Sequence, residues 1–254
     1  MPASPARAYP PSSIAAGRGI FALDVFERIG HGGASALAPG NTLESFDAAL
    51  SLGVDMIEFD VRAWRGELVL AHTILHAAAG RAVALESALD HLAAARFGSL
   101  SVNVDVKHAG CEAALLDALR RRGLLGRALL SSQVPDVIDR LRVREPRARL
   151  GISVGGRLAR ASRRWGDWRA HVLAGLACGR WHALMAHHRL VDDRLLAQVS
   201  ARSGRLYAWT VNDRGAIASL RALGVHGVAT ADPRLFAAPS SDGPPDPAIA
   251  TAAG

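Results

Sequence analysis

The chain is short of the features that mark secreted, membrane-spanning or nucleic-acid-binding proteins. Two cysteines in 254 residues, Cys111 and Cys178, cannot build a disulfide framework, and neither has a Cys-x-x-Cys partner. A reduced, cytoplasmic setting is the expectation. No apolar run reaches the roughly 18 residues that a membrane-spanning helix needs. Residues 1–20, rich in Pro, Ala and Ser, lack the apolar stretch of a secretory signal. Aromatics are 5% of the chain, too few for a base-stacking platform, so no nucleic-acid partner is expected. Lysine is almost missing: Lys107 stands alone among 30 basic residues. There is no phosphate-binding P-loop.

What is present is a large apolar fraction, 50% of residues, enough to bury a sizeable core and to exclude disorder throughout. The net charge of +7 comes from arginines scattered between apolar runs. They read as solvated helix faces and loops, with a polyanion or lipid surface as the alternative. Residues 1–20 and 238–254 are Pro-, Ser-, Gly- and Ala-rich and read as disordered tails around one domain, 21–237. Within that domain eight short apolar runs suggest strands at 27–31, 56–62, 100–107, 128–132, 150–154, 182–187, 206–211 and 227–230. A further arm at 68–71 follows the second as a hairpin. Helical patterns lie between them, from Asn41-Thr42 to Gly53 and at 85–96, 112–122, 135–142, 160–179, 192–203 and 214–223. Eight β-α units predict a single-domain α/β fold, the TIM (β/α)8 barrel, with a doubly wound sheet as the alternative.

In a barrel, chemistry gathers where strands end at their C-terminal side. Glu58 and Asp60 are two apart in the second strand, so they share one face, while Ile57, Phe59 and Val61 share the other. Asn103, Asp105 and Lys107 alternate with Val102, Val104 and Val106 in the same way. Carboxylates facing a barrel interior are hard to explain as packing, because each buried ion costs several kcal/mol unless compensated. A divalent cation is one compensation, and an all-oxygen donor set suits Mg²⁺ or Ca²⁺. An ion-pair network with Lys107 and arginines is the other. His31 and His72 end strands beside this cluster and suit acid–base work near neutral pH. His187 could approach the mouth; the remaining histidines have no such support.

At this point an ordered set of fragments carries a resemblance. Gly30-His31-Gly32-Gly33 and Asn41-Thr42-Leu43-Glu44-Ser45-Phe46 come first. Glu58-Phe59-Asp60-Val61, Val69-Leu70-Ala71-His72 and Asn103-Val104-Asp105-Val106-Lys107 follow. Trp209-Thr210-Val211-Asn212 and Gly224-Val225-His226-Gly227-Val228-Ala229-Thr230 close the set, which spans about residues 28–236. The chain resembles the glycerophosphodiester phosphodiesterase family of the phosphatidylinositol phospholipase C-like superfamily.

The resemblance implies that His31 and His72 are the acid/base pair. It implies Glu58, Asp60 and Asp105 as ligands of a divalent cation, Lys107 as a phosphate contact, and Trp209 as an aromatic lining the substrate pocket. It implies hydrolysis of a small-molecule glycerophosphodiester to an alcohol and glycerol 3-phosphate. The chain also departs from the family pattern. Gly32 stands where an arginine usually follows the first histidine, and Gly40 where a glutamate precedes Asn-Thr. Asp105 replaces a glutamate, and Thr73 follows His72 where aspartate is common. An insertion of some tens of residues after the second histidine is cut here to about a dozen. These departures keep two further readings in view: a phosphate-ester-binding barrel without turnover, and a lysophospholipase D- or sphingomyelinase D-like activity at a peripheral lipid surface.

Overall fold

A computed structural model describes residues 26–155 and 165–237. The expected tails, 1–20 and 238–254, lie outside these residues, as does the start of the expected helix at 160–179. The strands are β1 (Glu27–His31), β2 (Met56–Trp64), β3 (Glu67–Leu70), β4 (Ser101–Val106), β5 (Ala128–Ser132), β6 (Arg149–Val154), β7 (Ala183–His187), β8 (Arg205–Trp209) and β9 (Gly227–Thr230). The helices are α1 (Leu43–Ser51), α2 (Ile74–Ala78), α3 (Leu85–Leu92), α4 (Glu112–Arg121), α5 (Pro135–Arg144), α6 (Trp165–Ala177), α7 (Asp193–Ser200) and α8 (Arg214–Leu223).

Eight strands pair in parallel in the order β1-β9-β8-β7-β6-β5-β4-β2, and β1 pairs with β2 to close the ring. This is a TIM barrel. β3 is the ninth strand, a short arm antiparallel to the end of β2, with Val61 opposite Leu70 and Trp64 opposite Glu67.

Alternation sorts the side chains into two layers. Ile57, Phe59 and Val61, and likewise Val102, Val104 and Val106, are fully buried against the helices. Ile29, Met56, Leu129, Ala183, Met185, Tyr207 and Ala229 fill the inside of the ring as a separate apolar layer. Beneath that layer the N-terminal end is plugged by Glu27, which pairs with Arg205 at 2.9 Å and accepts from the Tyr207 hydroxyl at 3.2 Å. The layer separates this plug from the polar groups above, so the open end is the C-terminal one.

The elements lie within a few residues of the sequence pattern, and three of the differences have a local cause. The helix expected over 85–96 stops at Leu92, because the chain turns through a 3₁₀ segment at Ala95–Phe97 that carries Phe97 into full burial. β2 runs on to Trp64, since β3 gives its last residues a partner. The five-residue helix α2 has no counterpart in the sequence pattern; Thr73 caps it by accepting from His76 N–H.

Two histidines fix strand register at the closed end. His182 donates its backbone N–H to Leu150 O at 2.7 Å and accepts the Leu150 N–H on Nδ1 at 3.0 Å. His226 makes the same pair with Leu206, at 2.9 and 3.1 Å. Nδ1 can accept only when it carries no proton. Burial, then the Arg142 charge, push the His182 imidazole down to about 4. A folded value below the unfolded one of about 6.5 gives stability that is complete above pH 6.5 and lost as pH falls toward 4. The loss is of order 3 kcal/mol at most. Urea unfolding at pH 7 and pH 4.5 should show His182→Gln losing less stability over this interval than the parent chain. Equal losses would remove His182 as a source of acid sensitivity.

Candidate active site

The polar tier above the apolar layer is built from the ends of β1, β2 and β4. Cα register sets Glu58 beside Asn103 and Asp60 beside Asp105 on adjacent strands, and His31 beside Glu58. Glu58, Asp60 and Asp105 are all buried, and one carboxylate oxygen from each lies within 4.8 Å of the others. Lys107 bridges two of them, its Nζ 2.5 Å from Asp60 Oδ1 and 2.5 Å from Asp105 Oδ2. The ion-pair alternative is therefore realised in part, alongside an arrangement with metal-ligand geometry.

Each carboxylate is also tethered. Gly32 N–H donates to Glu58 Oε2 at 2.9 Å. Asn41 clamps Asp60, donating Nδ2–H to Oδ2 and accepting the Asp60 N–H on Oδ1, both at 2.9 Å. Asn41 can do this because it adopts a left-handed conformation, φ +63°, which asparagine tolerates better than most residues. Its backbone N–H donates to Gly32 O, and the Ser45 hydroxyl donates to the same carbonyl at 2.8 Å. Thr42 and Ser45 cap α1 reciprocally, so the start of α1 and the β1 loop are one unit. The sequence pattern marks Asn41 only as a helix opener and misses this role; its place immediately before a capping threonine is the available signal.

Both histidines lie at the mouth. His31 Nε2 is 3.8 Å from Glu58 Oε2 and 3.4 Å from the Thr210 hydroxyl. His72 Nδ1 is 3.4 Å from Asp60 Oδ1, and Arg62 donates to the His72 carbonyl at 3.1 Å. The His72 side chain is 55% exposed, against 34% for His31. A cavity of about 40 Å³ lies among them, lined further by Asn103, Gln133, Ser153, Met185 and Trp209. Every residue proposed from the sequence thus comes to one end of the barrel. His187 meets Trp209 edge-on, ring centroids 5.5 Å apart, and does not join the carboxylates.

Electrostatics follow from three acids and one base sharing a buried space. Burial, with Asp60 close by, pushes the Glu58 carboxyl well above its usual range. Burial raises Asp105 too, against the pull of Lys107. Burial would also raise Asp60, yet the His72 hydrogen bond, the Lys107 ammonium and Asn41 hold it below the usual range. For Lys107 the carboxylates outweigh burial, so it stays charged. Burial lowers the His31 imidazole.

A hard cation fits this set. Asp105 Oδ1 is buried without a hydrogen-bond partner, on a residue whose carboxylate belongs to that acidic cluster. Such an orphan acceptor costs about 1–3 kcal/mol, more when charged, and an ion removes that cost.

The glycines at the two departures are part of the loop's construction. Gly32 sits at φ +61°, where a side chain is strained. A Cβ at Gly40 would lie 2.9 Å from Ser35 Cβ.

The Glycerophosphoryl diester phosphodiesterase family profile matches residues 31–73 and 82–235. The chain belongs to that family, which is one of phosphoric diester hydrolases. Its segment of 50 residues is 40% identical to the Glycerophosphodiester phosphodiesterase GDPD4 of Arabidopsis thaliana, a match covering 20% of this chain and 15% of that protein. The chain therefore spans only a small part of that relative. Among solved structures, a glycerophosphodiester phosphodiesterase from Parabacteroides distasonis superposes with a TM-score of 0.68 at 16% identity, covering 83% of this chain and 94% of that one. A phosphodiesterase from Oleispira antarctica, solved in complex with the product sn-glycerol-3-phosphate, gives 0.66 at 21%, covering 82% and 94%. At these identities the likeness shows the shared fold.

Removing the Asn41 clamp should be felt by the scaffold as well as the site. Asn41→Ala strands the Asp60 N–H and one carboxylate oxygen, and is expected to cost about 1–3 kcal/mol in urea unfolding. An unchanged unfolding free energy would show that Asp60 is held without it.

Proposed function

We propose that this protein is a divalent-cation-dependent phosphodiesterase that hydrolyses glycerophosphodiesters to an alcohol and glycerol 3-phosphate. The observation that carries the reading is the buried triad Glu58, Asp60 and Asp105 with an orphaned oxygen, flanked by two histidines at the open end of a barrel of this family. Glu58, Asp60 and Asp105 would hold Mg²⁺ or Ca²⁺, which supplies charge neutralisation to the non-bridging phosphate oxygens.

Lys107 offers a second positive charge at the same place. With a cation held by the carboxylates, the Lys107 ammonium that now bridges Asp60 and Asp105 would be available to the phosphate as a point charge. One histidine takes the proton from the attacking water, or from the neighbouring glycerol hydroxyl on a cyclic-phosphate route that water then opens, and the other returns one to the leaving oxygen. Asp60 at Nδ1 of His72 orients that ring and leaves Nε2 for proton transfer. His31 is held between Glu58 and Thr210. Asn103, Gln133, Ser153 and Trp209 offer neutral hydrogen-bonding and apolar surface to the alcohol part. The short stretch between His72 and α3, with only α2 inside it, leaves the His72 side open to a large leaving group. Free thiols at Cys111 and Cys178 accord with a cytoplasmic setting. Among the described residues no helix is long and apolar enough to cross a membrane.

The test is hydrolysis of glycerophosphocholine and bis(p-nitrophenyl) phosphate with Mg²⁺, Ca²⁺, Mn²⁺ or EDTA. Turnover should require a metal and vanish in Glu58→Ala/Asp60→Ala. His31→Ala and His72→Ala should each slow it about 10²–10⁴-fold. Folded protein inactive with every metal would refute the reading and bring forward a barrel that binds phosphate esters without turning them over. Turnover confined to lysophospholipid or sphingomyelin vesicles would instead mark a lipid-surface enzyme.

A further inference from the structure

Trp209 does not stand upright at the end of β8. Its indole lies sideways across the neighbouring strand. The Nε1–H donates to the Met185 carbonyl of β7 at 3.0 Å. The far edge of the ring reaches Gly155, the residue directly after β6: a Cβ built there would lie 2.6 Å from Trp209 Cζ2 and 2.9 Å from Cη2. The same Cβ would lie 2.7 Å from His187 Cβ. His187 is the register partner of Trp209 and meets its ring edge-on, with centroids 5.5 Å apart and planes at 72°. Strands lie about 4.8 Å apart, so an indole rooted on β8 covers the width of β7 before it meets β6. Only a residue without a Cβ leaves room for it.

The geometry points to Gly155 as a positioning residue that fixes Trp209 as a wall for the alcohol portion of the substrate. This rests on the phosphodiesterase reading and adds a specificity determinant that lies outside the carboxylate–histidine cluster. The two obstacles at Gly155 are unequal. The indole edge could swing away by rotation about its side-chain bonds, whereas His187 Cβ is fixed to the backbone of β7. A methyl group at 155 displaces the indole, which breaks the hydrogen bond to Met185 O and moves the ring relative to Ser153 and Met185 in the cavity wall, while its approach to His187 Cβ adds a separate cost that no change at Trp209 removes. Phosphate binding and proton transfer are carried by β1, β2, β4 and the chain after β3, and of these groups His31 reaches the chain after β8, at the Thr210 hydroxyl 3.4 Å away.

The experiment uses Gly155→Ala, Trp209→Phe and the double variant, with thermal unfolding and steady-state kinetics on glycerophosphocholine. Gly155→Ala should lower the melting temperature and raise KM about tenfold, with kcat changed less than about threefold, since a lost aromatic contact acts on binding. Phenylalanine is too short to reach β6. Adding Trp209→Phe to Gly155→Ala should therefore cost much less stability than Trp209→Phe costs the parent chain. Additive melting-temperature changes would overturn the contact, whether or not the protein turns over glycerophosphocholine. Coupled melting temperatures with kcat lost and KM unchanged would overturn the substrate-wall role. Absence of turnover in the parent chain would count against the phosphodiesterase reading, and the coupling measurement would still stand on its own.

Discussion

Three carboxylates buried against one ammonium set the terms for the rest of this molecule. Glu58, Asp60 and Asp105 carry a formal charge of −3 and Lys107 returns +1, which leaves −2. Like charges about 4 Å apart repel by roughly 4 kcal/mol at an effective dielectric constant of 20. Lys107 can touch only two of the three acids, and Glu58 responds by holding its proton more tightly. A single divalent cation would cancel the remainder, satisfy Asp105 Oδ1 and allow Glu58 to ionise. The strain is local and specific, which is the form expected of a site kept for binding rather than for stability.

The scaffold bears this cost elsewhere. The outer face of β2 and β4 is wholly apolar and fully buried, so the same two strands that expose acids inward are anchored by Ile57, Phe59, Val61, Val102, Val104 and Val106 outward. The inner apolar layer isolates the acids from the Glu27–Arg205 plug at the closed end. The Asn41 clamp and the α1 cap tie the β1 loop to Asp60. At the open end one tryptophan, Trp209, is laid across the neighbouring strand.

Much of this architecture is legible in residue order. Period-2 alternation alone puts Glu58, Asp60 and Asp105 on the inner face of β2 and β4, and the eight-fold alternation of strand and helix specifies the ring. His31 and His72 are legible as strand ends beside that face. The clamp by Asn41 is not, because a left-handed backbone at a non-glycine residue has no periodic signature. Nor is the Gly155–Trp209 contact, since it joins residues on β6 and β8 through the width of β7. The end of α3 at Leu92 is set by the burial of Phe97, a tertiary demand that helix propensity does not carry.

Everything proposed for this site turns on whether a cation sits among the three carboxylates. The direct measurement is a crystal grown or soaked with Mn²⁺ and recorded at an energy where manganese scatters anomalously. One strong anomalous peak is expected within about 2.0–2.6 Å of oxygens from Glu58, Asp60 and Asp105, the range for hard cations on oxygen. Lys107 should there be displaced from at least one carboxylate. A well-ordered site with no peak, and Lys107 still bridging Asp60 and Asp105, would contradict the cation and make the cluster a closed ion-pair network.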